Sequence, residues 1–182
     1  ERIVNYNTNG TLTLENVKIV NAEGCQLNYA VNLPMSSKNA KVVIKDSEIW
    51  ANAKSLNLWG ENTVVNITDS KLYLVDNNPT EGYDAICLNN NGETAAHNSI
   101  INVKGGEIKV IQAIENDTTP STAISDNVEG SEINIDSTIV EGTREKNVAV
   151  LTYKNTTDFY SFTSLQAAID KAKGDANANA VR

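Results

Sequence analysis

The dominant feature of the chain is an alternation of apolar and polar residues that recurs five times. Each copy has two apolar residues separated by one residue, then a turn pair, and then a further apolar residue. Alternation with period two predicts a half-buried strand. Asn, Asp, Ser and Gly at the turn pair bend the chain, because they tolerate the left-handed conformation or hydrogen-bond their own backbone. The copies are Leu12–Ile19, Val42–Ile49, Val65–Leu72, Ile101–Ile108 and Ile133–Val140.

A third short strand is predicted after a loop in every copy. The turn positions are 30, 23, 36 and 32 residues apart, at Asn16, Asp46, Asp69, Gly105 and Ser137. A stacked solenoid accommodates such variation, because a loop insertion bulges outward without disturbing the stack. A propeller blade would need roughly 40 residues and four strands. The pattern therefore predicts an all-β solenoid of about five coils with three short strands per coil. The third strands are Tyr29–Leu33, Ser55–Trp59, Asp84–Leu88, Thr122–Ser125 and Val148–Leu151.

Stacking the copies predicts four rows of inward-facing apolar residues. One coil cannot bury these side chains alone, so neighbouring coils must bury them for each other. Each fully buried side chain contributes about 1.5–3 kcal/mol of transfer free energy. The rows are Leu12, Val42, Val65, Ile101 and Ile133; Leu14, Ile44, Ile67, Val103 and Ile135; Ile19, Ile49, Leu72, Ile108 and Val140; and Val31, Leu56, Ile86, Ile124 and Val150.

The C-terminal segment predicts one α-helix over residues 162–173. Thr163 and Gln166 form a capping box, and Gly174 supplies a stop signal. The expected apolar face is Leu165, Ala168, Ile169 and Ala172. The chain is thus divided into a β-solenoid over residues 1–158 and a helical segment over 159–182, whose final residues show no packing pattern. The helix either caps the solenoid or begins another module.

These features resemble the pectate-lyase-like right-handed parallel β-helix, and more narrowly the repeat modules of large surface proteins of Gram-positive gut bacteria. The likeness rests on the repeated Val-x-Ile-x-Asp-Ser-x-Ile units over residues 10–153. It also rests on Tyr-Ser-Phe-Thr-Ser-Leu-Gln-Ala-Ala-Ile within 160–174, a type of segment that commonly opens such a β-helix. The resemblance implies a right-handed parallel β-helix in an extracellular protein, secreted or attached to the cell wall.

Composition and charge narrow the range of partners. The net charge is −8, with 23 acidic against 15 basic residues, which disfavours nucleic acid because its binding footprint is basic. The sequence contains no run of 18 apolar residues, so it predicts no membrane-spanning segment. Asn, with 26 copies, is the most frequent residue, as expected for a chain rich in turns. Two cysteines, Cys25 and Cys87, cannot build a disulfide framework, and no CxxC motif is present.

The polar residues offer two candidate chemical sites, a catalytic set and a calcium site. The lyases that the fold resembles use clustered carboxylates with a basic residue, but Arg144 is the single arginine away from the chain ends and matches no catalytic motif. The loop around Asp76, Glu81 and Asp84 is rich in the oxygen ligands that calcium prefers. Calcium is therefore the one cofactor considered, although the spacing fits no EF-hand.

A binding surface is predicted on the outside of the second strands. The residue after the third apolar row faces outward, which places Trp50 and Tyr73 on adjacent coils with Lys109 beyond them. Exposed aromatic rings with a polar rim suit sugar rings or a protein contact. The insertion ending at Tyr83 would form one wall of this groove. The alternative is that the two rings pack on each other beneath the loop and shield the sheet.

Three functions remain open on the sequence. The first is a non-catalytic module of a bacterial surface protein, acting in adhesion or in recognition of a host or dietary glycan or of a surface protein. The second is a fragment of a carbohydrate-active enzyme, a polysaccharide lyase or hydrolase. The third is a purely structural spacer. A fold hosts many functions, so the site must decide between them.

Overall fold

The structure is a computed structural model that describes residues 2–20, 29–90, 95–114, 118–146, 149–154, 159–162 and 165–181. Its elements are short strands and one helix. In chain order they are β1 (Arg2–Asn5), β2 (Thr11–Glu15), β3 (Lys18–Ile19), β4 (Tyr29–Leu33), β5 (Lys41–Lys45), β6 (Glu48–Ala51), β7 (Lys54–Leu58), β8 (Val64–Thr68), β9 (Lys71–Asp76), β10 (Asp84–Leu88), β11 (Ile100–Lys104), β12 (Glu107–Gln112), β13 (Thr122–Asp126), β14 (Glu132–Asp136), β15 (Ile139–Glu141), β16 (Arg144–Lys146), β17 (Ala149–Tyr153), β18 (Phe159–Phe162), α1 (Leu165–Lys173) and β19 (Ala178–Val181).

Three parallel sheets run along the molecule, and successive turns of the chain visit them in order. Sheet 1 contains β2, β5, β8, β11 and β14, and sheet 2 contains β3, β6, β9, β12 and β15. Sheet 3 contains β1, β4, β7, β10, β13 and β16. The coils stack in register: Ile44 pairs with Leu14 on one side and Ile67 on the other. The predicted right-handed parallel β-helix of about five coils is confirmed.

The core is the column of aliphatic side chains that the alternation predicted. Val42, Ile44 and Ile49 are fully buried, and their counterparts in the two following coils are at most 2% exposed. Residues of the terminal coils are less covered, because within the described ranges each of these coils pairs with a coil on one side only. Leu12 and Leu14 at one end, and Ile135 and Val140 at the other, are partly buried and pack against the core.

The bend between sheets 1 and 2 uses the predicted turn residues in the left-handed conformation. The backbone φ is positive at Asn16 (55°), Asp46 (48°), Asp69 (46°), Gly105 (66°) and Ser137 (53°). In the second and third coils a serine follows, and its hydroxyl joins neighbouring coils: the Ser47 backbone N–H donates to Ser70 Oγ at 3.1 Å. In these two coils the corner combines a left-handed residue with a bridging hydroxyl.

A second left-handed corner, which sequence reasoning missed, lies between sheets 3 and 1. Asn39, Asn62, Asn98 and Gly130 have φ between 53° and 75°. Each lies three residues before the first inward residue of the next strand, so a fixed offset was available as a signal. The Thr63 and Ser99 backbone N–H groups donate to Ser99 Oγ and Ser131 Oγ at 3.0 and 2.8 Å.

Stacked asparagines account for part of the unusual composition. On sheet 3 the amide of Asn32 donates to Asn5 Oδ1 at 2.6 Å, and the amide of Asn57 donates to Asn32 Oδ1 at 2.7 Å. Asn89 continues the series with a 3.1 Å bond to Asn57 Oδ1. Asn32 and Asn57 are buried. Because each amide both donates and accepts along the stack, these polar groups are buried with hydrogen bonds.

The prediction for the end of the chain was wrong in its strand assignment. The segment that completes the last coil on sheet 3 is β16, which pairs in parallel with β13. The predicted strand Val148–Leu151 falls largely on β17, the central strand of an antiparallel sheet with β18 and β19. The Val150 side chain lies outside the described residues. The C-terminal tail, expected to lack packing, forms β19.

The predicted C-terminal helix is present but shorter. It begins at Leu165, because Phe159–Phe162 forms β18 instead of leading directly into the helix. Thr163 of the predicted capping box lies outside the described residues. On the expected apolar face Ala168 is fully buried, whereas Leu165 is 54% exposed. The division of the chain at residues 158 and 159 stays a prediction.

Candidate binding surface

The outer face of sheet 2 carries the row of residues that the alternation predicted. Trp50 pairs with Tyr73 across adjacent strands, and Tyr73 pairs with Lys109. Their neighbours Ile49, Leu72 and Ile108 are fully buried. Since successive side chains of a strand point to opposite faces, Trp50, Tyr73 and Lys109 lie together on the outside of the coil.

The two aromatic rings contact each other directly. Their centroids are 4.4 Å apart, and the ring planes are inclined at 54°. Tyr73 is only 8% exposed, whereas Trp50 is half-buried. Both the predicted surface row and the alternative of mutually packed rings therefore hold in part. Trp50 is the aromatic residue that a ligand could reach, and Tyr73 supports it.

Hydrogen bonds to carboxylates fix the polar ends of both rings. Trp50 Nε1 donates to Glu48 Oε1 at 2.7 Å, and Glu48 Oε1 also lies 2.7 Å from Lys18 Nζ. The Lys18 hydrogen bond, and then that of Trp50, lower the pKa of Glu48. The Tyr73 hydroxyl donates to Glu107 Oε2 at 2.7 Å. Burial, followed by this bond to Glu107, raises the pKa of Tyr73 to about 12.

The charge of Lys109 is matched by its neighbour on the next coil. Lys109 Nζ lies 2.5 Å from Glu141 Oε2, and this hydrogen bond raises the pKa of Lys109. The pair is substantially exposed, so it contributes little to stability. The Lys109–Glu141 ion pair therefore places a polar group with no net charge beside the two aromatic rings.

Beside Trp50 lies a shallow, mainly apolar depression of about 280 Å³. Val20 forms part of its rim and is 46% exposed. The five lining residues are called the Trp50 surface below. They are Val20, Trp50, Ala51, Asn52 and Val75.

The structure places Tyr83 in a different environment from the Trp50 surface. It precedes β10 of sheet 3, and its backbone N–H donates to Ser121 Oγ at 2.9 Å. Its hydroxyl donates to Glu81 Oε2 at 2.5 Å, and this bond raises the pKa of Tyr83. Tyr83 does not line the depression beside Trp50. The structure therefore does not bring Tyr83 together with Trp50, Tyr73 and Lys109.

Each of the three carboxylates proposed for calcium is held by hydrogen bonds or an ion pair within the protein, and Asn78 bonds both Asp76 and Glu81. Asp76 is fully buried and accepts the backbone N–H groups of Asn78 and Ser121 at 3.3 and 3.0 Å. Glu81 accepts from Tyr83, and Asp84 pairs with Lys54. Within the described ranges, no group of three or more His, Cys, Asp or Glu side chains is arranged to hold a metal ion. Asp76 organises its loop through backbone hydrogen bonds.

A partly buried polar cluster that sequence reasoning missed lies where the adjacent strands β7 and β10 of sheet 3 begin. Lys54 Nζ is 2.9 Å from Asp84 Oδ2 and 3.1 Å from Cys87 Sγ. Burial raises the pKa of the Cys87 thiol to about 12, so the thiol is neutral at pH 7 and a poor nucleophile. The pKa of Lys54 is raised despite its desolvation, because negative charge on Cys87 and Asp84 favours the ammonium; at pH 7, where the thiol is neutral, the Asp84 carboxylate supplies this charge. The cluster contains a partly buried ion pair, and aligning Lys54 with Asp84 across the third strands would have revealed it.

Comparison with known proteins adds no relative to this picture: no family model, curated protein or solved structure matches the chain. No helix in the described part of the chain is long and apolar enough to span a membrane.

Proposed function

We propose that the chain is a non-catalytic recognition module of a secreted or cell-surface bacterial protein, and that it binds a glycan or a partner protein through the Trp50 surface. The exposed part of Trp50 beside a depression carries this proposal. The indole N–H is already bonded to Glu48, so the ring and its apolar neighbours are the groups offered to a ligand. Amphipathic aromatic rings of this kind are frequent anchors of recognition sites.

The extracellular and bacterial parts of the proposal rest on the sequence. The pectate-lyase-like resemblance of the repeated units, together with an acidic composition rich in Asn, is typical of the repeat modules of surface proteins. A rigid stack of coils suits such a module, because sites built on strands are held more precisely than sites on loops.

Binding to an immobilised array of host-mucin, bacterial and plant-polysaccharide glycans tests this function directly. For any glycan that binds, Trp50→Ala should weaken affinity by about tenfold or more, because a few aromatic anchors supply most of the binding energy of such sites. The far-UV circular dichroism should be unchanged, since the ring lies outside the core.

Trp59→Ala is the matched control. Trp59 is also half-buried, but it follows β7 on sheet 3 and does not line the depression. Equal affinity of wild type and Trp50→Ala for a bound glycan, or an equal loss in Trp59→Ala, would contradict a site at the Trp50 surface.

A further inference from the structure

A second depression lies beside the Trp50 surface, at the corner between sheets 1 and 2. Its volume is about 420 Å³. Glu48 lines this depression and accepts the indole N–H of Trp50 at 2.7 Å, so one hydrogen bond joins the two depressions. The eight residues that line it are called the corner groove below. They are Asn16, Val17, Lys18, Asp46, Ser47, Glu48, Asp69 and Lys71.

The two depressions lie in line along the same strands. Strand β6 lines both of them, through Glu48 and Trp50, and strand β9 does so through Lys71 and Val75. Because a strand rises about 3.3 Å per residue, Trp50 lies about 7 Å along β6 from Glu48. A single elongated ligand can therefore contact the Trp50 surface and the corner groove, which together are called the extended site.

Charges of opposite sign alternate around the corner groove. Lys18 and Glu48 form an ion pair at 2.7 Å. Asp46 lies 3.5 Å from Lys45, which also pairs with Glu15 at 2.8 Å. Neighbouring strands are about 4.8 Å apart, so a ligand with a net charge of either sign would lie about as close to a like charge as to an opposite one. The electrostatics of the groove therefore favour an uncharged ligand.

Asp69 and Lys71 carry the polar groups of the corner groove that are available to a ligand. Both residues are exposed, and both line the groove. Among the residues that the structure describes, neither side chain forms an ion pair or a hydrogen bond. An ammonium donates hydrogen bonds, a carboxylate accepts them, and a hydroxyl does both. Neighbouring hydroxyl groups on one ligand would therefore satisfy both side chains without adding charge.

We propose that the extended site binds an uncharged oligosaccharide, with one sugar ring stacked on Trp50 and the hydroxyls of the next ring bonded to Lys71 and Asp69. This inference rests on the proposed function and names its ligand class. The apolar face of a sugar ring covers the indole, while its hydroxyls meet no repulsion in the groove. Depressions of this size suit a small ligand, whereas a stable protein interface buries about 800 Å² on each partner.

A panel of polysaccharides separates the ligand classes. The uncharged probes are β-glucan, β-mannan and galactan, the acidic probes are polygalacturonate and sialylated glycans, and the cationic probe is chitosan. The chain should bind an uncharged polymer, and its affinity should change less than about twofold between low and high salt, because no net charge is screened. By isothermal titration calorimetry, the disaccharide of that polymer should bind about tenfold or more tightly than the monosaccharide, since it reaches both depressions.

Lys71→Met tests the contribution of the corner groove. The variant loses the donor for the second ring, so affinity for the disaccharide should fall by about tenfold, with an unchanged circular dichroism spectrum. Lys104→Met is the matched control. Lys104 is also exposed, but it lies on β11 of sheet 1 and lines neither depression, so this variant should keep the wild-type affinity.

The possible failures of the ligand class and of the proposed function are distinguishable. Binding that depends on Trp50 but is confined to a charged glycan or to a protein would overturn the uncharged ligand and leave the recognition module standing. Equal affinity for the monosaccharide and the disaccharide, or an unchanged affinity in Lys71→Met, would remove the corner groove from the site. A chain that binds no probe through Trp50 would overturn both proposals.

Discussion

At the residue scale, the recognition surface depends on side chains that hold one another in place. Trp50 is oriented by Glu48, and Glu48 is in turn held by Lys18. Tyr73 supports the Trp50 ring and is itself bonded to Glu107. The rotamers of both rings are therefore fixed by polar contacts at their outer ends and by ring packing between them.

The Glu48 bond makes the Trp50 indole sensitive to acid. Because the folded pKa of Glu48 is lowered, its stabilising contacts are complete above the ordinary glutamate pKa of 4.5 and are lost as pH falls through the lowered value. We expect the NMR signal of Trp50 Nε1–H to stay constant from neutral pH down to 4.5 and to move at lower pH.

Two variants check the cause of this transition. Lys18→Met removes the largest contribution to the shift, so the midpoint should rise toward 4.5. Glu48→Gln keeps an oxygen acceptor but cannot titrate, so the transition should disappear. A transition that persists in Glu48→Gln would assign it to another group.

At the element scale, each coil is defined by its corners more than by its loops. The loops between sheets 2 and 3 differ in length from coil to coil, yet the strands they connect keep their register. In every coil the corner between sheets 1 and 2 places at least one residue in the left-handed conformation, and in the fourth coil both Gly105 and Gly106 adopt it. Changes at these corners are therefore expected to be more damaging than changes in the loops.

Gly106 provides a test of this expectation. Its φ is +72°, and an added Cβ would contact the Ser70 carbonyl oxygen at less than van der Waals distance. Gly106→Ala should lower the free energy of unfolding by about 3 kcal/mol or more, from left-handed strain and backbone displacement. Urea denaturation measures this loss.

Gly105→Asn is the control for that experiment. Gly105 is also left-handed, but Asn16, Asp46 and Asp69 occupy the equivalent position with similar φ values. The close contact of its added Cβ would be with the Asp69 carboxylate, which can rotate away, whereas the Asp69 backbone lies at an ordinary van der Waals distance. The variant should change stability much less than Gly106→Ala, and equal losses in both would contradict this account of the corner.

The sequence predicted the features that follow from the repeated strand pattern and missed those that depend on particular side-chain bonds or on later segments. The core rows and the Trp50–Tyr73–Lys109 row were predictable, because both follow from period-two alternation and a repeated register. The Glu48 and Glu107 bonds were not, since one joins residues two apart on the same strand and the other joins diagonal positions on adjacent strands, and alternation does not say which polar residues bond. Strand β17 was misassigned because its alternation is the same in a parallel coil and in an antiparallel sheet, and its partners lie in later segments.

At the scale of the whole molecule, a linear stack of coils depends on contacts between neighbouring coils. Inner coils bury each other, so their stability is shared between neighbours. The last described coil has an additional side-chain contact, because Arg144 on β16 donates to the Ile133 carbonyl of β14.

Arg144 is the residue whose loss should weaken the C-terminal end. Its guanidinium bonds both the Ile133 carbonyl and Asp126 Oδ2, at 2.7 and 3.1 Å. Asp126 is 2% exposed, so Arg144→Met would leave a buried carboxylate without its cation. Because the Arg144 side chain is itself 36% exposed, the cost is about 1–3 kcal/mol, below that of breaking a fully buried pair. Urea denaturation should show this loss.

Adding Asp126→Asn to Arg144→Met should restore part of the lost stability, because the uncompensated charge is removed. Lys173→Met is the matched control: its pair with Asp170 is 3.6 Å long and well exposed, so stability should hardly change. A double variant no more stable than Arg144→Met alone would assign the loss to the missing hydrogen bond to the Ile133 carbonyl and not to the charge of Asp126.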